Sequence, residues 1–186
     1  MTDYNTIPFV DLKRELIPIK DELTQKINNI IFDKTNFILG EELNLFEQHF
    51  SKYINTDYCI GVANGTDAVE IAVNSLGLES DSEIITQANT FVATCFGITN
   101  NNLNLKLVDI DKNTYQMDID KLEQQITDKT KAIIIVHLTG SCCNMDKLME
   151  IVNKYNLILI EDCAQSHGAY YKNKGCYGDK IQIYAC

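Results

Sequence analysis

From residue 58 onward, the hydrophobic and polar positions of the chain alternate between two periodicities. Short apolar runs are separated by stretches in which apolar side chains recur every three to four residues, the spacing of a helix with one buried face. The runs predicted as strands are Tyr58–Ala63, Glu83–Gln87, Leu105–Ile110, Lys131–Val136 and Leu157–Glu161. The stretches predicted as helices are Thr66–Leu76, Val92–Thr99, Asp118–Ile126 and Met145–Tyr155. Strands alternating with helices predict an α/β fold, with a mostly parallel sheet sandwiched by helices.

The first part of the chain has a different pattern. Ile7–Leu12 is predicted to be extended, because Pro8 disfavours helical geometry in the residue before it. Leu16–Phe32 and Glu41–Tyr53 have helical spacing, and Gly40 lies between them. We therefore predict an N-terminal helical segment, residues 1–56, that packs on a larger α/β domain, residues 57–186.

The candidate chemistry lies at the ends of the predicted strands, since open parallel sheets bind ligands at the carboxyl ends of their strands. Asn64, Gly65 and Thr66 join the first predicted strand to its helix. Backbone N–H groups at a helix N-terminus, together with a threonine hydroxyl, can bind a phosphate, and glycine lets the backbone approach the anion closely. A plain N-cap at Asn64 or Thr66 explains the string equally well.

Asp162 follows the last predicted strand, and Gln165 comes three residues later. A carboxylate in a partly desolvated pocket is costly without a cation. The protonated pyridine nitrogen of a cofactor is one such cation, and pairing keeps that ring electron-withdrawing. Acidic residues at strand ends also bind magnesium, so a phosphoryl-transfer site built from Asp109, Asp111 and Asp162 is an alternative.

Phe91 follows the strand Glu83–Gln87 at the same predicted edge. An aromatic side chain at this place can stack on a heteroaromatic ring. Taken by itself, a phenylalanine at such a position is more often a core residue.

Composition narrows the classes of partner. The net charge is −10 and Arg14 is the only arginine, which argues against a nucleic-acid partner or an anionic membrane surface. No apolar run approaches the ~20 residues needed to span a bilayer, and the N-terminus has no apolar signal-peptide core. The seven cysteines are odd in number and lie in apolar segments, which favours a reduced cytoplasmic protein with buried thiols and no metal motif.

Four strings occur in order at the ends of successive predicted strands. They read Asn-Gly-Thr at 64–66, Asn-Thr-Phe-Val-Ala-Thr at 89–94, Val-His-Leu-Thr-Gly at 136–140 and Glu-Asp-Cys-Ala-Gln-Ser-His-Gly-Ala at 161–169. Together they resemble the DegT/StrS group of nucleotide-sugar aminotransferases, which are fold-type-I enzymes dependent on pyridoxal phosphate. The likeness runs from Ile7–Leu12 to Gly178 and Asp179, so it covers nearly the whole chain.

The resemblance implies a role for each matching residue. Gly65 and Thr66 would bind the phosphate of pyridoxal phosphate, and Asn64 would shape the turn. Phe91 would stack on the pyridine ring, Asp162 would pair with its nitrogen, and Gln165 would bond its hydroxyl.

The family resemblance also implies an activity. As in the family, the protein would transfer an amino group from an amino acid donor, glutamate, to a keto-6-deoxy sugar linked to a nucleotide diphosphate, in amino-sugar or polysaccharide biosynthesis. It would work as a homodimer.

The sequence departs from the family pattern after Gly178-Asp179. There the family continues into a Ser-Phe-x-Pro-x-Lys stretch with the lysine that holds the cofactor, whereas this chain reads Lys180 to Cys186 and ends. Lys180 comes too early to match that lysine. The expectation is a large domain that is incomplete at its C-terminus, without the small C-terminal domain and without a catalytic lysine. A catalytically inactive remnant of the family is therefore an alternative for this chain alone.

Overall fold

The structure is a computed structural model that describes residues 7–172, together with the backbone of residues 174–175 and 181–183. The α-helices are α1 Leu12–Leu16, α2 Lys20–Asn28, α3 Glu41–Ile54, α4 Gly65–Asn74, α5 Val92–Thr99, α6 Ile119–Gln125 and α7 Met145–Lys154. The strands are β1 Glu83–Gln87, β2 Asn104–Val108, β3 Thr130–Val136, β4 Ile158–Asp162, β5 Tyr170–Tyr171, β6 Lys174–Gly175 and β7 Ile181–Ile183. Short 3-10 turns occupy Ile17–Ile19 and Leu138–Gly140, and a π-helical turn occupies Asn29–Lys34.

Five of the strands form one sheet in the order β2-β1-β3-β4-β7. All neighbouring pairs in this sheet are parallel. β3 lies at the centre, and only Lys131 among its residues is exposed. β5 and β6 form a separate antiparallel pair. The predicted α/β fold with a mostly parallel sheet is confirmed.

Helices cover both faces of the sheet. On one face α6 and α7 pack over a core that includes Leu122, Leu148 and Leu159. On the other face α4 and α5 pack over a core that includes Val69 and Ile160. Because side chains alternate along a strand, Glu161 faces the α6–α7 side, and its neighbour Asp162 faces the α4–α5 side.

The predicted strand Tyr58–Ala63 is wrong. Within the described residues this segment joins no sheet, and Tyr58 and Ile60 are exposed. The N–H of Gly61 donates instead to the Glu47 carboxylate at 2.8 Å. A short apolar run can suit a strand, but the hydrogen-bond ladder forms only where a neighbouring strand offers its backbone.

The predicted helix Leu16–Phe32 is broken into three pieces. Pro18 lies in the 3-10 turn after α1, because proline lacks the N–H that an α-helix interior requires. Asp11 ends the extended segment by capping α1, its carboxylate accepting from the N–H of Arg14 at 3.0 Å. The predicted extended segment Ile7–Leu12 therefore stops one residue early.

The N-terminal helices differ in how they meet the α/β core. α3 reaches the loop after β4, where the ring of Phe50 meets that of His167 edge-on, with 6.1 Å between centroids. By contrast, α1, α2 and the π-turn contribute no buried residue. The division into residues 1–56 and 57–186 stays a prediction. Lys180 and the tail after Ile183 lie outside the described residues, so the prediction about the missing lysine lies there too.

Two further expectations concern membranes and thiols. In the described part of the chain, no helix combines the length and apolar character that crossing a bilayer requires. Cys143 and Cys163 are buried, as predicted for thiols in apolar segments, whereas Cys59 and Cys95 are only partly buried. Cys142 is disulfide-bonded, so the expectation of a wholly reduced chain is wrong at this residue.

Candidate functional site

Asp162 is the last residue of β4 and is buried near the carboxyl edge of the sheet. Each oxygen of its carboxylate accepts a hydrogen bond. Oδ1 accepts from the backbone N–H of Ala164 at 3.1 Å, and Oδ2 accepts from the hydroxyl of Thr94 at 3.3 Å. These donors hold the carboxylate in one orientation.

The electrostatics of Asp162 are dominated by burial. Loss of solvation raises the pKa of its carboxyl, while the bonds from Ala164 and Thr94 and the nearby imidazole of His137 lower it by less. No ion pair is made by Asp162 within the described residues. A buried carboxylate without a cation favours an incoming cationic partner.

The start of α4 has the geometry of an anion site. Asn64 is its N-cap, and the side-chain oxygen of Asn64 accepts from the N–H of Asp67 at 3.0 Å. Gly65 and Thr66 begin the helix, where backbone N–H groups have no intrahelical acceptor. Asn64 is therefore an N-cap, and the first backbone N–H groups of α4 still point out of the N-terminal end of the helix. The N-cap and the phosphate-binding interpretations are compatible.

Packing between α4 and α5 brings their N-termini to the same edge. A Cβ on Gly97 of α5 would lie 2.4 Å from Cγ1 of Val69 on α4, so only glycine permits this close approach. Further along, the amide of Asn74 donates to that of Asn101 at 2.8 Å. These two contacts show that the helices run side by side in the same general direction.

Phe91 and Gln165 are both accessible to a ligand. Phe91 is the N-cap residue of α5 and is 73% exposed. It is therefore not a core residue in the described structure. Gln165 is exposed in the turn that follows β4, and its carbonyl lies 3.7 Å from where a Cβ on Gly140 would be. Both positions agree with the predicted strand-end placement, and their roles stay predictions.

A buried polar pair lies on the opposite face of the sheet from Asp162. Nε2 of His137 lies 3.0 Å from a carboxylate oxygen of Glu161, and both side chains are fully buried. The Cys163 sulfur lies close to this pair, so that the potential metal-ligand atoms of His137, Glu161 and Cys163 are all within 4.8 Å of one another. The direct bond uses Nε2 of His137, while Nδ1 of the same ring is buried without a hydrogen-bond partner among the described residues.

The alternative magnesium site is not assembled. Asp109 and Asp111 follow β2, whereas Asp162 ends β4, and β1 and β3 lie between them. Three strand spacings of ~4.8 Å separate the two strands by roughly 14 Å. Asp109 pairs with Lys121, and Asp111 accepts from the N–H groups of Asn113 and Thr114, which are the contacts of a surface turn.

Sequence reasoning missed the groups that hold Asp162 in place. Thr94 lies in the string at 89–94, but its contact with Asp162 joins residues that are 68 positions apart. No local pattern therefore indicates this contact. The same is true of His137, whose backbone N–H donates to the carbonyl of Asp162 at 3.0 Å.

The chain is similar to known proteins in sequence and in fold. Residues 18–184 match the profile of the DegT/DnrJ/EryC1/StrS aminotransferase family. The chain is 42% identical to dTDP-3-amino-3,6-dideoxy-alpha-D-galactopyranose transaminase of Aneurinibacillus thermoaerophilus, a match that covers 93% of this chain and 48% of that protein.

Solved structures show the same fold. One is DesV of S. venezuelae in complex with a ketimine intermediate, with a TM-score of 0.90 and 31% identity over 95% of this chain and 47% of that one. Another is GDP-4-keto-6-deoxymannose-3-dehydratase with a trapped PLP-glutamate geminal diamine, with a TM-score of 0.77 and 33% identity over 83% of this chain and 42% of that one. The chain thus spans about half the length of these relatives. The prediction of pyridoxal phosphate as the cofactor of this family is confirmed.

Proposed function

We propose, from the premise that this chain belongs to the DegT/DnrJ/EryC1/StrS aminotransferase family, that it forms the cofactor-binding part of a sugar aminotransferase dependent on pyridoxal phosphate. The substrate of the whole protein would be a keto-6-deoxy sugar linked to a nucleotide diphosphate, and glutamate would donate the amino group. The observation that carries the proposal is the buried, cation-free carboxylate of Asp162 at the strand edge.

The described residues fit pyridoxal phosphate at both of its ends. Burial raises the pKa of Asp162, and a protonated pyridine nitrogen would supply the positive charge that the carboxylate lacks. The N-terminus of α4, with Gly65 and Thr66, offers N–H groups and a hydroxyl to a phosphate. Exposed Phe91 at the start of α5 offers a ring face, and Gln165 offers an amide to the ring hydroxyl.

Pyridoxal phosphate, when bound, carries the amino group between the two substrates and accepts electron density into its ring. The chain's part is to bind and orient that ring. Asp162 would hold the ring nitrogen protonated, because an ionised carboxylate stabilises the adjacent cation. Thr66 would fix the phosphate, and Phe91 would exclude water from one face of the ring.

The names of the relatives support the substrate class. The transaminase of Aneurinibacillus thermoaerophilus is named for a dTDP-linked 3-amino-3,6-dideoxy sugar. The dehydratase structure is named for a GDP-linked 4-keto-6-deoxy sugar and holds a glutamate adduct. Because that relative is named as a dehydratase, we rest the choice of transamination on the more similar transaminase.

Cofactor binding can be tested on this chain by itself. Pyridoxamine phosphate is the suitable probe, because it carries the ring and the phosphate and needs no covalent anchor. We expect saturable binding by calorimetry, weakened at least tenfold, about 1.4 kcal/mol, by Asp162→Asn. The control is Asp109→Asn, which alters an exposed carboxylate at the end of another strand and should bind like the parent. Absence of saturable binding at millimolar concentrations would contradict the proposal.

Amino transfer is tested separately on the whole protein, since this chain alone is expected to lack the catalytic lysine, with pyridoxal phosphate, 15N-glutamate and dTDP- or GDP-linked keto-6-deoxy sugars. Appearance of 15N in the sugar by mass spectrometry supports transamination. Loss of a sugar oxygen without 15N would indicate dehydration instead. The assay asks what the bound cofactor does, so it complements the binding experiment and does not repeat it.

A further inference from the structure

Two threonine hydroxyls form a series of hydrogen bonds that ends on Asp162. The hydroxyl oxygens of Thr90 and Thr94 lie 2.8 Å apart, and the hydroxyl of Thr94 lies 3.3 Å from Oδ2 of Asp162. Thr94 is 1% exposed. Thr90 is partly exposed at the start of the turn that leads into α5. The two hydrogen bonds therefore link the buried carboxylate to a partly exposed residue.

The direction of this series of hydrogen bonds follows from the charge of its last member. An ionised carboxylate only accepts hydrogen bonds, so the single hydroxyl proton of Thr94 must point to Asp162. Thr94 then has no proton left for Thr90, and Thr90 must donate to the oxygen of Thr94. Both hydroxyl dipoles are thus aligned toward the carboxylate, which strengthens each bond in a region of low dielectric.

The remaining contacts of Asp162 leave one side of the carboxylate for a ligand. Thr94 donates to Oδ2 and the N–H of Ala164 donates to Oδ1. Each oxygen of a carboxylate has about two acceptor sites. The two donors hold the carboxylate plane, and each oxygen keeps a further acceptor site for an incoming N–H.

We propose that Thr94, supported by Thr90, is a positioning residue that orients the carboxylate of Asp162 and stabilises its ionised form for the ring nitrogen of the cofactor. This inference rests on the proposed function as far as the cofactor is concerned. The effect of the two hydroxyls on Asp162 does not depend on the cofactor and can be measured in the ligand-free protein.

Three other influences act on the pKa of Asp162 and form the background of a test. Burial raises the pKa of its carboxyl, and the N–H of Ala164 and the imidazole of His137 lower it. The side chains of Glu161 and Cys163, its neighbours in the sequence, are buried as well. Thr94→Val and Thr94→Ser leave all of these residues in place, so a difference between the two variants reports the hydroxyl.

The first experiment measures the titration of Asp162 in the cofactor-free chain by 13C NMR of its carboxyl carbon. We expect Thr94→Val to raise the pKa of Asp162 further, because the ionised form loses a donor, and Thr94→Ser to restore it. Thr90→Val should raise it by less. The control Thr99→Val lies on the same helix, where the hydroxyl bonds the carbonyl of Cys95, and should leave the titration unchanged.

The second experiment measures the affinity for pyridoxamine phosphate. We expect Thr94→Val to weaken it roughly five- to tenfold, with Thr94→Ser close to the parent. If the parent chain does not bind the probe, the proposed function fails, while the titration still decides the role of Thr94. If Thr94→Val and Thr94→Ser titrate and bind alike, the positioning role is wrong. If Thr94→Val does not fold, Thr90→Val decides, and a titration identical to the parent overturns the proposal.

Discussion

The imidazole of His137 and the carboxylate of Glu161 form a hydrogen bond of 3.0 Å in which neither side chain has any exposed surface. The pair lies behind Asp162, on the opposite face of β4. The backbone of His137 also bonds the carbonyl of Asp162. The same residue therefore joins the end of β3 to the end of β4 twice, through its main chain and through its ring.

This arrangement predicts a large loss of stability when one partner is removed. His137→Ala leaves a buried carboxylate without its donor, and we expect a decrease of about 2–4 kcal/mol in the free energy of unfolding. Urea denaturation followed by circular dichroism measures it. His137→Gln keeps a side-chain donor and should lose less.

The matched control for this pair is Glu123→Ala, which breaks an exposed pair with Lys154. Exposed ion pairs contribute little, so the denaturation midpoint should barely change. Equal effects of His137→Ala and Glu123→Ala would show that the buried bond does not stabilise the strand ends.

Asp162→Asn is expected to stabilise the cofactor-free protein near neutral pH. Because the folded-state pKa of Asp162 is raised, the folded state binds its proton more tightly than the unfolded state does. Stability from this group is then present at low pH and is lost as pH rises through the folded pKa. Thermal unfolding between acidic and neutral pH, compared for parent and variant, measures the difference.

Asp109→Asn provides a control, because the pKa of Asp109 is shifted in the opposite direction from that of Asp162. The bonds from the N–H of Ile110 and from Lys121 lower the pKa of Asp109, so ionised Asp109 stabilises the fold above its unfolded-state pKa, and that contribution is lost as pH falls. The Asn variant should therefore not gain stability at neutral pH. If Asp162→Asn melted below the parent at neutral pH, the burial cost assigned to Asp162 would be wrong.

The sequence predicted the parts of the fold whose periodicity reflects burial. For Glu83–Gln87 and Val92–Thr99, both predicted ends agree with the structure, because a buried strand and a half-buried helix have distinct spacing. Tyr58–Ala63 is also a short apolar run but finds no neighbouring strand among the described residues. Whether a segment pairs in a sheet depends on residues far away in the sequence, and a local pattern contains no information about them.

The same division holds for the candidate site. The placement of Asp162 and Phe91 near the carboxyl ends of strands could be predicted, because the end of a parallel strand is readable from local sequence, while their roles stay predictions. The predicted strand Leu157–Glu161 is displaced by one residue, so Asp162 ends β4 as a ladder residue and does not follow it. The Thr94 contact required knowledge of which face each side chain occupies, which only the three-dimensional packing of α5 supplies.

Gly97→Ala tests the close packing that brings α4 to the site. The added Cβ would lie 2.4 Å from Cγ1 of Val69 and 3.2 Å from the backbone nitrogen of Glu70. Overpacking of this kind costs about 1–3 kcal/mol, measurable by urea denaturation. Adding Val69→Ala removes the nearest atoms, so the double variant should lose less than the sum of the single variants. Simple additivity would mean that the two residues do not touch in solution.

Thr66→Ala tests the phosphate seat by comparing two ligands. The hydroxyl of Thr66 would bond only the phosphate, so the variant should bind pyridoxamine phosphate roughly tenfold more weakly, as for a bond to a charged group. Its affinity for pyridoxamine, which lacks the phosphate, should not change. Ser75→Ala removes a hydroxyl at the other end of α4, where it bonds the carbonyl of Ala72, and serves as the control. Weakening of both ligands by Thr66→Ala would place Thr66 elsewhere in the site.

The apolar surface of the N-terminal segment predicts self-association. Leu23, Ile27 and Ile31 recur at helical spacing on α2 and the following π-turn, and all three remain more than 40% exposed. Phe9 and Phe32 are exposed as well. Each apolar side chain covered by a second copy would gain about 25 cal/mol per Å² of buried area. The net charge of −10 opposes association, but salt screens this repulsion beyond about 10 Å at 0.1 M, whereas apolar burial is not screened.

Size exclusion with light scattering at physiological salt should therefore give a mass above the monomer value of 21.1 kDa. Ile27→Lys with Ile31→Lys places two charges on the apolar face and should shift the protein toward the monomer. Gln25→Lys with Asn28→Lys makes the same change in charge on residues that line a polar groove beside Asp21 and Asp33, so it should leave the mass unchanged. A parent chain that elutes as a stable monomer, or a monomer produced equally by both variants, would show that this apolar face does not drive assembly.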